Sequence, residues 1–246
     1  TRRVKIMYAM FDNLTTLKEL NITNFDTSNV ETMQYMFYNL NKVKVLDVSH
    51  FDTSKVKSME GMFAHMTNLE SLNLNNFDTS NVTSMRDMFV ATTSLQSLNL
   101  SSFDTRKVTS MQSMFYYMTS LKTLNVSSFN TENVENMSNM FAHADSLEEL
   151  DLSSFKTPKV KTFRAMFYTN RPEENKMRRI YASSDFDIST AVASHVTDPH
   201  ANIDIFWQMK NLVGGNGTRS ENNSTPGIYL LKIDRPGVPG LFTRKP

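Results

Sequence analysis

Residues 69–89 read LESLNLNNFDTSNVTSMRDMF, and residues 95–115 repeat the pattern as LQSLNLSSFDTRKVTSMQSMF, 26 positions later. The leucine group, the Phe-Asp-Thr turn and the Met-x-x-Met-Phe group keep their places in both copies. A fixed period of this length is typical of repeat architectures, in which each unit buries its apolar face only against its neighbours. The stretch therefore predicts a solenoid.

The 26-residue step extends over most of the 246-residue chain. One row is phenylalanine throughout: Phe25, Phe51, Phe77, Phe103, Phe129 and Phe155. A second row consists of Met-Phe pairs, whose first residues are Met10, Met36, Met62, Met88, Met114, Met140 and Met166. A third row is the Leu-x-x-Leu-x-Leu group, which runs from Leu17, Leu20 and Ile22 to Leu147, Leu150 and Leu152. Three rows with one period indicate about six stacked units.

Within a unit the apolar spacing changes. The segment Leu72-Asn73-Leu74 alternates, which predicts a short strand. Apolar residues then follow at spacings of three, three and one from Val82 to Phe89, which favours one face of a short helix. The predicted fold class is an α/β repeat, a leucine-rich-repeat solenoid with a parallel sheet on one side, short helices on the other and an irregular C-terminal cap.

One threonine per unit is predicted to cap the helix: Thr27, Thr53, Thr79, Thr105, Thr131 and Thr157. The next position accepts Pro158 and Glu132, as the first residue of a helix does. Lys156 replaces the preceding aspartate in one unit, which argues against the aspartate as the main cap. Thirteen of the 17 methionines belong to two rows on the predicted helix, and we assign them to the core.

The repeat slips near residue 171, where Arg171-Pro-Glu-Glu174 reads as a four-residue insertion. We predict a solenoid over residues 1–175 and a degenerate last repeat with a cap over residues 176–246. Six of the seven glycines lie between Gly214 and Gly240, so this tail is expected to be rich in turns and to cover the open end of the sheet. The first unit begins mid-repeat at Thr1, from which we expect the chain to be a fragment of a longer protein.

Composition excludes several classes of function. A net charge of +1 argues against a nucleic-acid partner, and the absence of cysteine removes thiolate chemistry. No apolar run is long enough to span a membrane, so we expect no membrane insertion. His195 and His200 lack a metal-binding spacing, and the Gly214-Gly-Asn-Gly217 stretch lacks the lysine of a phosphate loop. We predict no enzyme activity, no catalytic residues, no metal and no cofactor.

The repeat resembles that of the BspA-like leucine-rich-repeat surface proteins of bacteria, as do the closing LVGGNGT of residues 212–218 and the GLFT of residues 240–243. The resemblance covers nearly the whole chain. It implies a secreted or wall-attached protein, commonly from Gram-positive bacteria, whose repeats mediate cell adhesion. Two departures are the absence of the family's frequent cysteine row and of any secretion or anchoring motif.

Two surfaces are candidate ligand-binding sites. The outward strand row is small and polar, and its members are Asn21, Asp47, Asn73, Asn99, Asn125 and Asp151. It serves either as a ladder of side-chain hydrogen bonds or as a flat face for a glycan or an extended protein. The second surface is the loop after Met-Phe, which we call the rim: Tyr38, Asn39, His65, Tyr116, Tyr117, His143 and Tyr168. Tyrosine is enriched at interfaces, so we favour the rim.

The sequence thus predicts an adhesion or interaction module that binds a host or extracellular protein or glycan. The alternative is a structural stalk that displays another domain of a longer surface protein. The oligomeric state and the ligand are left open.

Overall fold

The computed structural model describes residues 1–220 and 227–245, which form a parallel β-solenoid. Its strands are short: β1 (Val45–Leu46), β2 (Ser71–Leu72), β3 (Ser97–Asn99), β4 (Thr123–Asn125), β5 (Glu149–Leu152), β6 (Arg179–Ala182) and β7 (Phe242–Arg244). The described residues contain one α-helix, α1 (Ser189–Thr197), and one 3₁₀ helix, Gly227–Leu230. The predicted solenoid with a parallel sheet is confirmed.

The register follows the 26-residue period. Leu46 pairs with Leu72, and Leu98 pairs with Leu124. After the insertion Leu150 pairs with Ile180, so the register resumes at the position that the sequence indicates. A second parallel ladder, one residue wide in each coil, runs along the opposite part of the solenoid through Ile6, Thr32, Ser58, Ser84, Ser110, Asn136 and Thr162. Two strand ladders therefore join each coil to the next.

The predicted short helix in each unit is absent between residues 1 and 175, and turns take its place. In the coil that contains Tyr35, the N–H groups of Met36 and Tyr38 bond three residues back, to the carbonyls of Met33 and Tyr35. The N–H groups of Tyr35 and Asn39 instead bond to carbonyls of the next coil. An α-helix needs every N–H to bond four residues back within the segment, so this alternation excludes it.

Two left-handed residues per coil build these turns. Tyr35 has φ +54° and Asn39 has φ +57°, and the same two positions recur as Asn139 and His143 at +56° and +58°. Successive four-residue turns bury positions separated by three, three and one, as one face of a helix does. The two structures therefore share one hydrophobic pattern, which is why the sequence favoured the wrong one.

The threonine row has a different role from the predicted helix cap. Thr79 is 1% exposed, and its hydroxyl donates to the Asp104 carbonyl (2.9 Å) and accepts from the Asp104 N–H (2.8 Å) in the next coil. The local cap is the aspartate, because Asp78 Oδ1 accepts the Ser80 N–H at 2.9 Å. The threonine row therefore joins coils, whereas the aspartate row closes the turn within each coil.

The core lies between the two ladders. Phenylalanine rings stack along its length at centroid distances between 5.3 and 5.9 Å in the row Phe11, Phe37, Phe63, Phe89, Phe115, Phe141, Phe167 and Phe206. The two methionine rows flank this stack and are buried, except that Met10 is 45% exposed. The assignment of the methionines to the core is thus confirmed for all but Met10.

The C-terminal segment continues the coil and then closes the sheet. Phe206 stacks on Phe167, and β7 pairs in parallel with β6. Asp234 fastens the closing turns: its carboxylate accepts the Thr218 hydroxyl (2.6 Å) and the N–H groups of Asn216 and Gly240 (2.8 and 3.2 Å). Of the predicted cap, residues 221–226 and 246 lie outside the described residues.

Candidate functional site: two aromatic clusters on the rim

The rim carries two clusters of aromatic side chains. In the first cluster Tyr8 packs edge-on against Tyr35 (6.0 Å between centroids), Tyr35 against Tyr38 (5.9 Å) and Tyr38 against His65 (5.1 Å). Tyr8 and Tyr35 were not predicted as site residues. The signal that could have found Tyr8 is its row, which is otherwise occupied by polar residues such as Gln34.

Tyr35 of the first cluster is bonded within the protein. The Tyr35 hydroxyl donates to Glu60 at 3.0 Å, and Arg86 lies 3.7 Å from Glu60 and 3.0 Å from Asp87. Burial, together with the Glu60 carboxylate, raises the pKa of Tyr35 to about 12. Burial also lowers the pKa of His65, an effect that the Asp87 carboxylate opposes. The hydroxyls of Tyr8 and Tyr38 form no hydrogen bond among the described residues, so within this cluster Tyr35 is the tyrosine whose hydroxyl is bonded internally.

The second cluster surrounds one buried histidine. His143 is 3% exposed, and its ring is approached by Tyr117 (4.9 Å between centroids), Tyr168 (5.4 Å) and Tyr116 (5.8 Å). Arg171, from the predicted insertion, covers Tyr117: its guanidinium carbon lies 5.3 Å from the ring centroid, and it donates to the Tyr117 hydroxyl at 2.9 Å. Four predicted rim residues are thus brought together, and the insertion supplies a fifth side chain.

A carboxylate lies beneath this histidine. Asp145 is 2% exposed, and its Oδ1 accepts from Thr169 (2.9 Å) and Asn175 (3.1 Å). Its Oδ2 lies 3.8 Å from His143 Nδ1, too far for a hydrogen bond. Burial by itself raises the pKa of Asp145, but His143 and the two donors outweigh that effect, so the pKa lies below its ordinary value. The carboxylate thus lies beside the histidine whose ring packs against the three tyrosines.

A cleft of about 440 Å³ opens beside the second cluster. Tyr116 and Tyr168 line it, together with Asn139, Arg164 and Asp204. Across the described part of the chain, no side-chain hydrogen bond or ion pair engages the latter three, and the two tyrosine hydroxyls have no hydrogen-bond partner there either. The volume lies within the roughly 300–1,000 Å³ of small-ligand sites. This cleft, with its unused polar groups, is the candidate site.

Sequence reasoning missed four residues in or beside this cleft, of which Asn139 and Arg164 lie in regular 26-residue rows that could have shown them. Arg164 belongs to a row that is polar in the neighbouring coils. Asp204 shares the left-handed conformation of Asn139, with φ +57°. Trp207, the only tryptophan, is 51% exposed. Its backbone carbonyl accepts the Thr169 N–H at 3.1 Å, which places Trp207 in the Tyr168 row one coil further. The sequence did not show that Trp207 belongs to the Tyr168 row, because the last repeat is longer than 26 residues.

The predicted strand row behaves differently. Its members are exposed, apart from the half-buried Asp151, and each uses its side-chain oxygen locally. Asn99 Oδ1, for example, accepts the Ser101 N–H at 3.1 Å, and Asp47 Oδ1 accepts the Ser49 N–H at 3.0 Å. These are turns within a coil, so the side-chain oxygens of this row bond to the backbone of their own coil.

The described residues were also compared with the requirements of a metal site and of a membrane-spanning helix. Within residues 1–220 and 227–245, no three histidine or acidic side chains come close enough to hold a metal ion. None of the helices found in those two ranges has both the length and the apolar character that crossing a bilayer requires.

The fold and the cleft together define a parallel β-solenoid of 26-residue coils with an aromatic rim. The chain belongs to the family described as "Mycoplasma protein of unknown function, DUF285", whose model matches residues 5–122 and 91–200. Comparison with curated proteins gave no match.

Proposed function

We propose that this chain is an interaction module, displayed on a cell surface or secreted, that binds a host or extracellular protein or glycan through the part of its rim formed by the second aromatic cluster. The observation that carries the proposal is the cleft at the second cluster. Tyr116 and Tyr168 offer aromatic surface there, beside Asn139, Arg164 and Asp204, which have no internal partners in the described residues. Binding sites typically combine an apolar or aromatic wall with a few well-placed polar groups.

The resemblance to BspA-like leucine-rich-repeat surface proteins supports the same assignment, and we extend the proposal to a common origin of the two repeats. The shared pattern is the sequence of residues 69–89, in which the leucine group, the Phe-Asp-Thr turn and the Met-Phe pair follow one another. Adhesion is what that resemblance implies.

The test is a solid-phase binding assay. Purified chain is applied to a panel of extracellular matrix proteins, mucins and epithelial cells, as wild type and as Tyr116→Ala and Tyr168→Ala. We expect each variant to weaken binding by about tenfold, because truncating a central aromatic contact typically costs more than 1 kcal/mol.

The matched control is Tyr38→Ala. Tyr38 occupies the row of Tyr116 and Tyr168 and packs edge-on against His65 as Tyr116 packs against His143, so the variant removes the same kind of contact away from the cleft. Absence of binding across the panel, or equal weakening by all three variants, contradicts the proposal.

A structural stalk is the second candidate function, favoured by the phenylalanine stack that runs unbroken from Phe11 to Phe206. Such a continuous core makes a rod of defined length. Cells that carry a repeat-deleted parent protein distinguish the two functions, because unaltered attachment supports the stalk.

A further inference from the structure

The two tyrosines of the cleft stand in one row with one coil between them. Successive coils are about 4.8 Å apart, so Tyr116 and Tyr168 are separated by roughly 10 Å along the solenoid. Both rings pack edge-on against His143, at 5.8 and 5.4 Å. Their orientation is therefore fixed before any ligand arrives, which reduces the entropy that binding must overcome.

Between and beside the tyrosines lie three planar polar groups: the Asn139 amide, the Arg164 guanidinium and the Asp204 carboxylate. Each can make two hydrogen bonds in its plane. Arg164 and Asp204 carry opposite charges, yet they form no ion pair with each other. The cleft thus offers paired donors and acceptors with no net charge.

We propose that this cleft binds a neutral pyranose sugar, as part of an extracellular glycan. A pyranose has an apolar C–H face, which packs on an aromatic ring, and a periphery of hydroxyls, which need donors and acceptors in one plane. The cleft holds both complements, and its volume of about 440 Å³ accommodates one or two sugar rings. The inference rests on the proposed function and names its ligand class.

The charge of the cleft selects against other ligands. A sulfated or sialylated sugar meets Arg164, but it also meets the Asp204 carboxylate, which repels it. A single arginine is too little to hold a nucleic-acid backbone, whose binding relies on several phosphate contacts. A peptide that docks through its own aromatic groups is the competing partner, and the experiment below separates it from a sugar.

Trp207 extends the aromatic row one coil beyond Tyr168. It is half-exposed and is the only tryptophan, so its fluorescence reports on the neighbouring cleft without labelling. A sugar chain that leaves the cleft along the solenoid passes this side chain.

The experiment is a titration of the full chain with methyl glycosides of galactose, glucose, N-acetylglucosamine and N-acetylgalactosamine, and with lactose and sialyllactose. Binding is read from Trp207 fluorescence and from saturation-transfer NMR. We expect saturable binding of at least one neutral sugar, about tenfold weaker in Tyr116→Ala and Tyr168→Ala and unchanged in Tyr38→Ala. Lactose should bind better than sialyllactose, and Asp204→Asn should reduce that preference severalfold.

The inference is overturned if no sugar binds saturably, or if Tyr38→Ala weakens binding as much as Tyr168→Ala does. Enzymatic deglycosylation of the solid-phase panel separates this outcome from failure of the proposed function. Binding that survives deglycosylation but is lost in Tyr168→Ala means that the rim recognises protein, so the module stands and the sugar does not. Sugar binding without attachment to any panel member means that the cleft recognises a sugar but that the proposed adhesion function fails.

Discussion

The ring of Tyr35 occupies the space in which a side chain at Gly61 would stand, because a Cβ at Gly61 would overlap Cε1 of Tyr35. Gly61 also has φ +58°, a left-handed conformation that is costly for residues with a Cβ. The tyrosine is held over the glycine by its hydrogen bond to Glu60. The Tyr35 side chain of one coil therefore favours glycine at position 61 of the next coil.

Gly61→Ala should destabilise the protein by about 1–2 kcal/mol through the backbone alone, with an added cost from the clash with Tyr35. Urea unfolding measures the loss. In a Tyr35→Ala background only the backbone part should remain, whereas an equal loss in both backgrounds contradicts the contact. Ala165→Gly is the matched control: it has φ +51° in the same row, and glycine there should cost little or stabilise.

Thr79→Val should destabilise the solenoid by about 1–3 kcal/mol, because it leaves the partly buried N–H and carbonyl of Asp104 without these partners. Thr79→Ser keeps the hydroxyl and loses a methyl group, worth about 1 kcal/mol. Chemical denaturation compares the two. A valine variant as stable as the serine variant would show that the hydroxyl does not join the coils.

Asp145→Asn should destabilise the second aromatic cluster at neutral pH by about 1–3 kcal/mol. The folded protein lowers the pKa of this carboxyl below its ordinary value of 3.8. The stability that its charge contributes is therefore fully present above that value and is lost as the pH falls through the lower folded pKa.

The difference in the free energy of unfolding between wild type and Asp145→Asn should accordingly become smaller as the pH falls from 7 toward 3. Urea midpoints across this range measure it. A gap that does not change with pH would mean that the charge of Asp145 contributes nothing and that only its shape matters. Asp185→Asn, at an exposed position, serves as the control.

Asp234→Ala should loosen the C-terminal closure while the coils stay folded. The variant removes the acceptor for Thr218, Asn216 and Gly240 at once, and an unmade buried hydrogen bond costs about 1–3 kcal/mol. Hydrogen exchange should accelerate in β7 and remain slow in β3 and β4. Uniform acceleration, or none, would contradict a local role, and Asp185→Ala is again the control.

Parts of the candidate site were predictable and parts were not. Tyr116, Tyr168 and His143 could be read from the sequence, because a fixed period places every residue of a row on one side of the solenoid. Asp204 and Trp207 could not, because the longer last repeat shifts them out of the 26-residue count. The Tyr35 hydroxyl is hydrogen-bonded to Glu60, whereas the Tyr116 hydroxyl has no such partner among the described residues. This difference depends on the side chains of neighbouring coils.

The sequence by itself determined the period, the stacking register and the rows of the core, since a 26-residue unit can bury its phenylalanines and methionines only against identical rows. Only the tertiary structure decided how the segment from Val30 to Leu40 folds. Its apolar spacing suits a helix and a run of turns equally well. The N–H groups of Tyr35 and Asn39 find their carbonyls in the next coil, and that bond between coils settles the choice in favour of turns.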